Sequence, residues 1–242
     1  MERHRILALS SSRYGNGGFL ETAAPLVQQF LGGEPLRIAF IPFASVKNDH
    51  DVYTSMVASA LSHLPHTFTT VTFAGAKDII RDADAIMTGG GNTFKLLHDL
   101  YEFDLIGITR EKINSGTPYI GWSAGSNITG RTICTTNDMP VIAPRSFEAL
   151  GFFPFQINPH YNNYKPAGFN GETRDQRLEE FLLLNPSQTI VALPEGSGLQ
   201  KENGRLAYSG SSDGFLFSVE ESSGSIRKEA VHPGSDLNFL LS

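Results

Sequence analysis

One cysteine in 242 residues, Cys134, excludes an internal disulfide and any CxxC metal or redox site, and it fits a reducing compartment. Positive charge is also scarce. The 19 Lys and Arg stand against 25 Asp and Glu, a net charge of −6, and they are scattered rather than gathered into the basic face a nucleic acid requires. No apolar run approaches the ~20 residues of a membrane helix. The apolar part of residues 1–10 is too short for a signal peptide. The one sequon, Asn127-Ile128-Thr129, is therefore expected to stay unmodified. These absences point to a cytoplasmic chain whose partner is neither a membrane nor a nucleic acid. What is plentiful is apolar: 40% hydrophobic against 18% charged residues supports a sizeable core.

Short apolar runs alternate with segments of helical period. Residues 5–10 (RILALS), 36–41 (LRIAFI), 68–73, 85–88 and 118–122 (PYIGW) read as strands, and 19–31, 49–64, 93–101 and 105–115 as helices. The alternation predicts βαβ units: an α/β fold with a mostly parallel, doubly wound sheet and helices on both faces. Residues 135–171 are rich in Pro and Asn and read as irregular. A helix over 174–185 and a strand over 189–193 follow. The C-terminal part reads as antiparallel: a hairpin over 201–208 turning at Asn203-Gly204, then strands over 215–219 and 226–231. No repeat, low-complexity tract or linker interrupts the chain, so one domain over 1–242 is expected.

Gly121-Trp122-Ser123-Ala124-Gly125 matches G-x-S-x-G where that motif needs to sit, between a predicted strand and a helix. The tight turn would project the Ser123 hydroxyl out of the sheet, and the following helix start would offer N–H groups to an oxyanion. Small residues there also permit plain strand–helix packing, so the serine needs a base before it signifies chemistry. Of the seven histidines, His4 and His232 lie near the ends, His50, His63 and His66 border a helix, and His98 sits mid-helix beside Asp99. His160 stands apart, in an irregular stretch after the apolar run 152–157. Two carboxylates compete to orient it: Asp138 in TTNDMP, and Glu195 in LPEG just after a predicted strand.

Two further segments invite a functional reading. Gly89-Gly90-Gly91 lies between a strand and a helix, but G-x-G-x-x-G would need glycine where Phe94 stands, so no nucleotide site is supported. A second source of oxyanion-directed N–H groups is the better use. GETRDQR at 171–177 opens a helix. It is either a charged surface helix start or a place where a guanidinium reads a substrate carboxylate bidentately.

Together these blocks resemble the peptidase E (aspartyl dipeptidase) family, whose fold is akin to the class I glutamine amidotransferases. The matching stretches run in order: IPFASV at 41–46, GGGNTF at 89–94, YIGWSAGSN at 119–127, TTNDMP at 135–140, FQINPH at 155–160, GETRDQR at 171–177 and LPEG at 193–196. The resemblance implies a serine exopeptidase that releases N-terminal aspartate from Asp-X dipeptides and uses no metal or organic cofactor. By matched position, Ser123 is the nucleophile and His160 the base, with Asp138 or Glu195 as third member. Gly91 and Ala124 supply the oxyanion N–H groups, and Arg174 binds the substrate's aspartate side chain. A cyanophycinase-like relative shares the fold and the serine, and cuts β-linked aspartyl-arginine polymers. The GETR arginine and short loops favour dipeptides. An amidotransferase would carry cysteine at the elbow, and a non-catalytic binding relative should have lost one of serine, histidine or arginine. Neither departure occurs here.

Overall fold

The computed structural model describes residues 4–241; residues 1–3 of the N-terminal stretch read above, and Ser242, lie outside the described residues. In chain order the strands are β1 (Ile6–Leu9), β2 (Arg37–Ile41), β3 (Thr67–Thr70), β4 (Ala85–Thr88), β5 (Tyr119–Trp122), β6 (Gln156–Pro159), β7 (Ile190–Leu193), β8 (Gly198–Glu202), β9 (Arg205–Ser209), β10 (Gly214–Val219) and β11 (Ile226–Val231). The helices are α1 (Ala24–Leu31), α2 (His50–Ala60), α3 (Ala76–Asp82), α4 (Thr93–Glu102), α5 (Ile106–Asn114), α6 (Ala124–Asn127) and α7 (Arg174–Leu184).

The central sheet has the order β3-β2-β4-β5-β1-β8-β9. Its first five strands pair in parallel, and β8 and β9 add antiparallel at one edge. Every residue of β1, β4 and β5 is buried, as expected for strands covered on both faces. The side chains sort by the two-residue period of a strand. Leu7, Leu9, Phe40, Met87 and Trp122 face Val27 and Phe30 of α1 and Val57 of α2. Ile6, Ala8, Ile41, Ile86 and Tyr119 face Ile80 of α3, Leu96 and Leu100 of α4, and Ile113 of α5. The helices therefore cover both faces of a mostly parallel sheet.

Three features depart from the sequence reading. The helix predicted over 19–31 begins only at Ala24. Leu20 takes a left-handed φ of 57°, and Pro25, which has no N–H to donate, stands in the first turn. Helix α3 is unforeseen because its seven residues hold little periodic signal. The remaining strands do not extend the central sheet: β11-β10-β7-β6 form a second one, in which β6 and β7 are parallel. Strand β6 lies inside the stretch read as irregular. Ile157, Val191 and Leu216 of the second sheet share a hydrophobic cluster with the first. Helix α7 packs on its other side through Leu178 and Leu182. Among the described residues no helix is long and apolar enough to cross a membrane.

Candidate active site

The carboxyl ends of β4, β5, β1, β6 and β7 converge, the usual place for a site in an open α/β sheet. Ser123 follows β5 directly, with φ 54° and ψ −114°, a backbone region that a non-glycine residue enters only when its surroundings dictate it. The flanking glycines explain how the turn closes. A Cβ on Gly121 would stand 2.3 Å from the Gly125 carbonyl oxygen, and one on Gly125 would stand 2.3 Å from that of Thr88. Ser126 fastens the elbow from below, sharing its buried hydroxyl between the carbonyls of Leu9 (2.6 Å) and Gly121 (2.8 Å).

His160 follows β6, and Glu195 lies two residues beyond β7. The register Pro159↔Leu193 brings both to the same end of the second sheet. His160 Nε2 lies 2.9 Å from Ser123 Oγ, and His160 Nδ1 lies 3.0 Å from Glu195 Oε1. An ionised carboxylate only accepts, so Nδ1 carries the ring proton toward Glu195 and Nε2 is left to accept from the Ser123 hydroxyl. The His160 side chain is 39% exposed and that of Glu195 56%, so the diad opens to solvent on the glutamate side.

Asp138 is placed differently from Glu195. Its Oδ2 accepts from the Thr93 N–H (2.7 Å), the Thr93 hydroxyl (2.5 Å) and the Thr136 hydroxyl (3.2 Å), which anchors the start of α4. It orders the wall of the site and makes no hydrogen bond to His160. The Gly89–Gly91 turn forms another wall. Gly90 abuts Ser123 so closely that a Cβ there would lie 2.9 Å from the Ser123 Cβ. Gly91 has φ +142°, and a Cβ on it would overlap the Ala44 carbonyl. Ala124 is the first residue of α6, so its N–H has no acceptor within the helix. Among the described residues, neither the Gly91 nor the Ala124 N–H meets a protein acceptor.

Arg174 opens α7 behind a capping box formed by Thr173 and Gln176. Its guanidinium donates to Asn137 Oδ1, its Nε is buried without a partner, and no carboxylate among the described residues pairs with it. Burial and the neighbouring Arg177 hold its pKa below the usual arginine value. Asn137 also donates to the Pro159 carbonyl at 2.7 Å, which links Arg174 to the residue preceding His160. Beside these groups a cleft of about 760 Å³ is lined by His160, Tyr161, Glu195, Phe215 and Lys228. A smaller one of about 200 Å³ is lined by Arg174, Arg177, Tyr164 and Phe169. Asp175 fixes the segment between them, accepting from Tyr161 (2.5 Å), Asn163 (2.8 Å) and Lys228 (2.7 Å). Burial, with Asp175 beside it, pushes the Tyr161 hydroxyl well above the usual tyrosine range.

Peptidase family S51 matches residues 6–208. The chain belongs to that family. It is a serine-type peptidase. Curated relatives named Peptidase E include one from Haemophilus influenzae, 52% identical over 201 residues, covering 82% of this chain and 92% of the relative. Another, from Shewanella amazonensis, is 44% identical over 238 residues, covering 98% of this chain and 99% of the relative. Two solved structures share the fold. A putative Peptidase E protein from Listeria monocytogenes has TM-score 0.66 and 23% identity over 86% of this chain and 99% of that one. A peptidase from an acI-B1 Actinobacterium has TM-score 0.70 and 15% identity over 98% of both chains.

Some residues of this S51 peptidase's site escaped the sequence reading. Ser10, which follows β1, is fully buried and bonds the His160 backbone. Asn137 stands beside Asp138 in a segment already singled out, and its neighbour Arg174 was the signal that could have found it. Asp175 lies within GETRDQR, where only the arginine drew a functional reading, and Tyr53 of α2 gives no local signal.

Proposed function

We propose that this S51 peptidase hydrolyses dipeptides with N-terminal aspartate, Asp-X, through an acyl-enzyme on Ser123. Ser123 Oγ attacks the scissile carbonyl as His160 Nε2 takes its proton. Glu195 holds the other imidazole nitrogen and stabilises the cation that forms. The N–H groups of Gly91 and Ala124 receive the oxyanion. The C–N bond then breaks as His160 returns the proton to the leaving amine of residue X. Water attacks the ester, His160 takes a proton from it, and the same proton restores the Ser123 hydroxyl as aspartate leaves. The hydrophobic cluster shared by both sheets supports reading residues 1–242 as one domain, which we place in the cytoplasm.

The observation that carries the aspartate reading is the half-buried Arg174 guanidinium, which has no carboxylate partner among the described residues. A short substrate carboxylate offers that fork two acceptors, whereas asparagine offers one and a clashing NH₂ group. Glutamate keeps the charge but moves the scissile carbonyl by one methylene. A panel of Asp-X, Glu-X, Asn-X and β-Asp-X dipeptides tests this. Asp-X should be cleaved with kcat/KM at least about 100-fold above the others, because a polar site rejects a ligand that leaves its charge unpaired. Equal turnover of Asn-X or Glu-X removes the aspartate assignment, and a preference for β-Asp-X redirects it to cyanophycinase-like substrates.

A further inference from the structure

Tyr53 stands in α2, outside every motif that carries the family resemblance, yet its hydroxyl reaches the glycine turn beside Ser123. It donates to the Gly90 carbonyl at 3.1 Å and accepts from the Trp122 indole N–H at 3.1 Å. Trp122 is the residue before the serine. Tyr53 is packed edge-on against Phe40, with ring centroids 5.1 Å apart, and Phe40 in turn stacks on Trp122 at 5.8 Å. Gly89 belongs to the same contact, since a Cβ there would lie 2.7 Å from the Tyr53 hydroxyl. The phenol therefore touches both glycine positions before Gly91 and the residue before the nucleophile.

The consequence follows from peptide planarity. In a trans peptide the C=O of one residue and the N–H of the next point in opposite directions, and no cis bond occurs among the described residues. A hydrogen bond that fixes the Gly90 carbonyl thus also fixes the direction of the Gly91 N–H. Glycine peptides have the broadest conformational freedom, and Gly91 at φ +142° lies where only glycine is at ease. Without an anchor, that peptide plane is free to rotate. The Asn92 N–H, bonded to the Ala44 carbonyl at 2.9 Å, holds the far side of the turn, and Tyr53 holds the near side.

We infer that Tyr53 is a positioning residue for the oxyanion hole, locking the Gly90–Gly91 peptide so that the Gly91 N–H is aimed before the substrate arrives. This rests on the proposed serine mechanism, in which that N–H serves the oxyanion. Burial pushes the Tyr53 phenol up to about 12, so the hydroxyl keeps its proton and remains a donor across the working pH range. Preorganised donors of this kind act mainly on the transition state, so a loosened one lowers kcat and leaves KM nearly unchanged.

The test is Tyr53→Phe, which keeps the ring and removes the hydroxyl. Three quantities are read on the purified protein: kcat and KM for an Asp-X dipeptide, the second-order rate of phosphonylation by a fluorophosphonate, and inhibition by free aspartate. The fluorophosphonate places its phosphoryl oxygen where the oxyanion forms, while aspartate reports ground-state binding. Deleting an oxyanion donor outright costs about 100- to 1,000-fold, so misaiming one should cost about tenfold or more in both kcat and phosphonylation, with KM and aspartate inhibition within about twofold. Phosphonylation at the wild-type rate overturns the inference. So does a loss accompanied by an equal loss of aspartate affinity and a much lower unfolding temperature, which marks a packing role. Failure of the underlying mechanism looks different: the wild-type protein then does not label, or a Ser123→Ala variant labels equally.

Discussion

The buried hydroxyl of Ser10 accepts a hydrogen bond from the His160 N–H at 2.9 Å while donating to the Leu193 carbonyl at 2.8 Å. Ser10 follows the central sheet's β1, His160 follows β6 of the second sheet, and Leu193 ends β7. One hydroxyl thus ties the sheet that carries Ser123 to the sheet that carries its partners. It does so at a histidine whose φ of 53° is unfavourable for a non-glycine residue.

Ser10→Ala should leave the half-buried His160 N–H without its partner, while the Leu193 carbonyl keeps the Tyr161 N–H at 2.9 Å. A stability loss of about 1–3 kcal/mol is expected, along with a fall in kcat as His160 loosens. Thermal unfolding together with steady-state kinetics checks it. If both stay at wild-type values, the His160 backbone is held without Ser10.

Glu195→Gln should lower kcat more than Asp138→Asn. Amidating a buried aspartate that orients a catalytic histidine costs about 10⁴-fold. Glu195 is 56% exposed, so water shares its task and a loss of about 10- to 100-fold is expected. Asp138→Asn weakens the anchor at the start of α4, and should appear chiefly as a lower unfolding temperature, worth about 1 kcal/mol. The opposite ranking in kcat would exchange the two roles.

Arg174→Met should reduce kcat/KM for Asp-X by about 100-fold, because the substrate carboxylate loses its charge-assisted hydrogen bonds. Fluorophosphonate should still label Ser123 in this variant. Full Asp-X activity would transfer the reading of aspartate to Arg177, whose side chain is 55% exposed.

Much of this was legible from local pattern. β4 spans the four residues expected of it. The hairpin turns at Asn203 and Gly204 with φ 54° and 74°, the left-handed pair that Asn-Gly favours. Strand β6 was not legible because two of its four residues, Gln156 and Asn158, are polar yet buried, so the apolar run 152–157 breaks off inside it. The choice between Asp138 and Glu195 hung on the same strand. Only the β6–β7 register places Glu195 beside His160, and register between distant segments leaves no trace in residue spacing. Tyr53 and Ser10 were hidden for the same reason, since each acts through partners 37 and 150 residues away.

The most direct measurement is the turnover of an Asp-X dipeptide by purified wild-type protein and by Ser123→Ala, with the fold of each followed by thermal unfolding. The elbow tolerates a small side chain, so the variant should unfold at a temperature close to that of the wild type. Its kcat should fall by about four orders of magnitude or more, as befits loss of a nucleophile. A folded Ser123→Ala protein that still cleaves Asp-X near the wild-type rate would contradict the account.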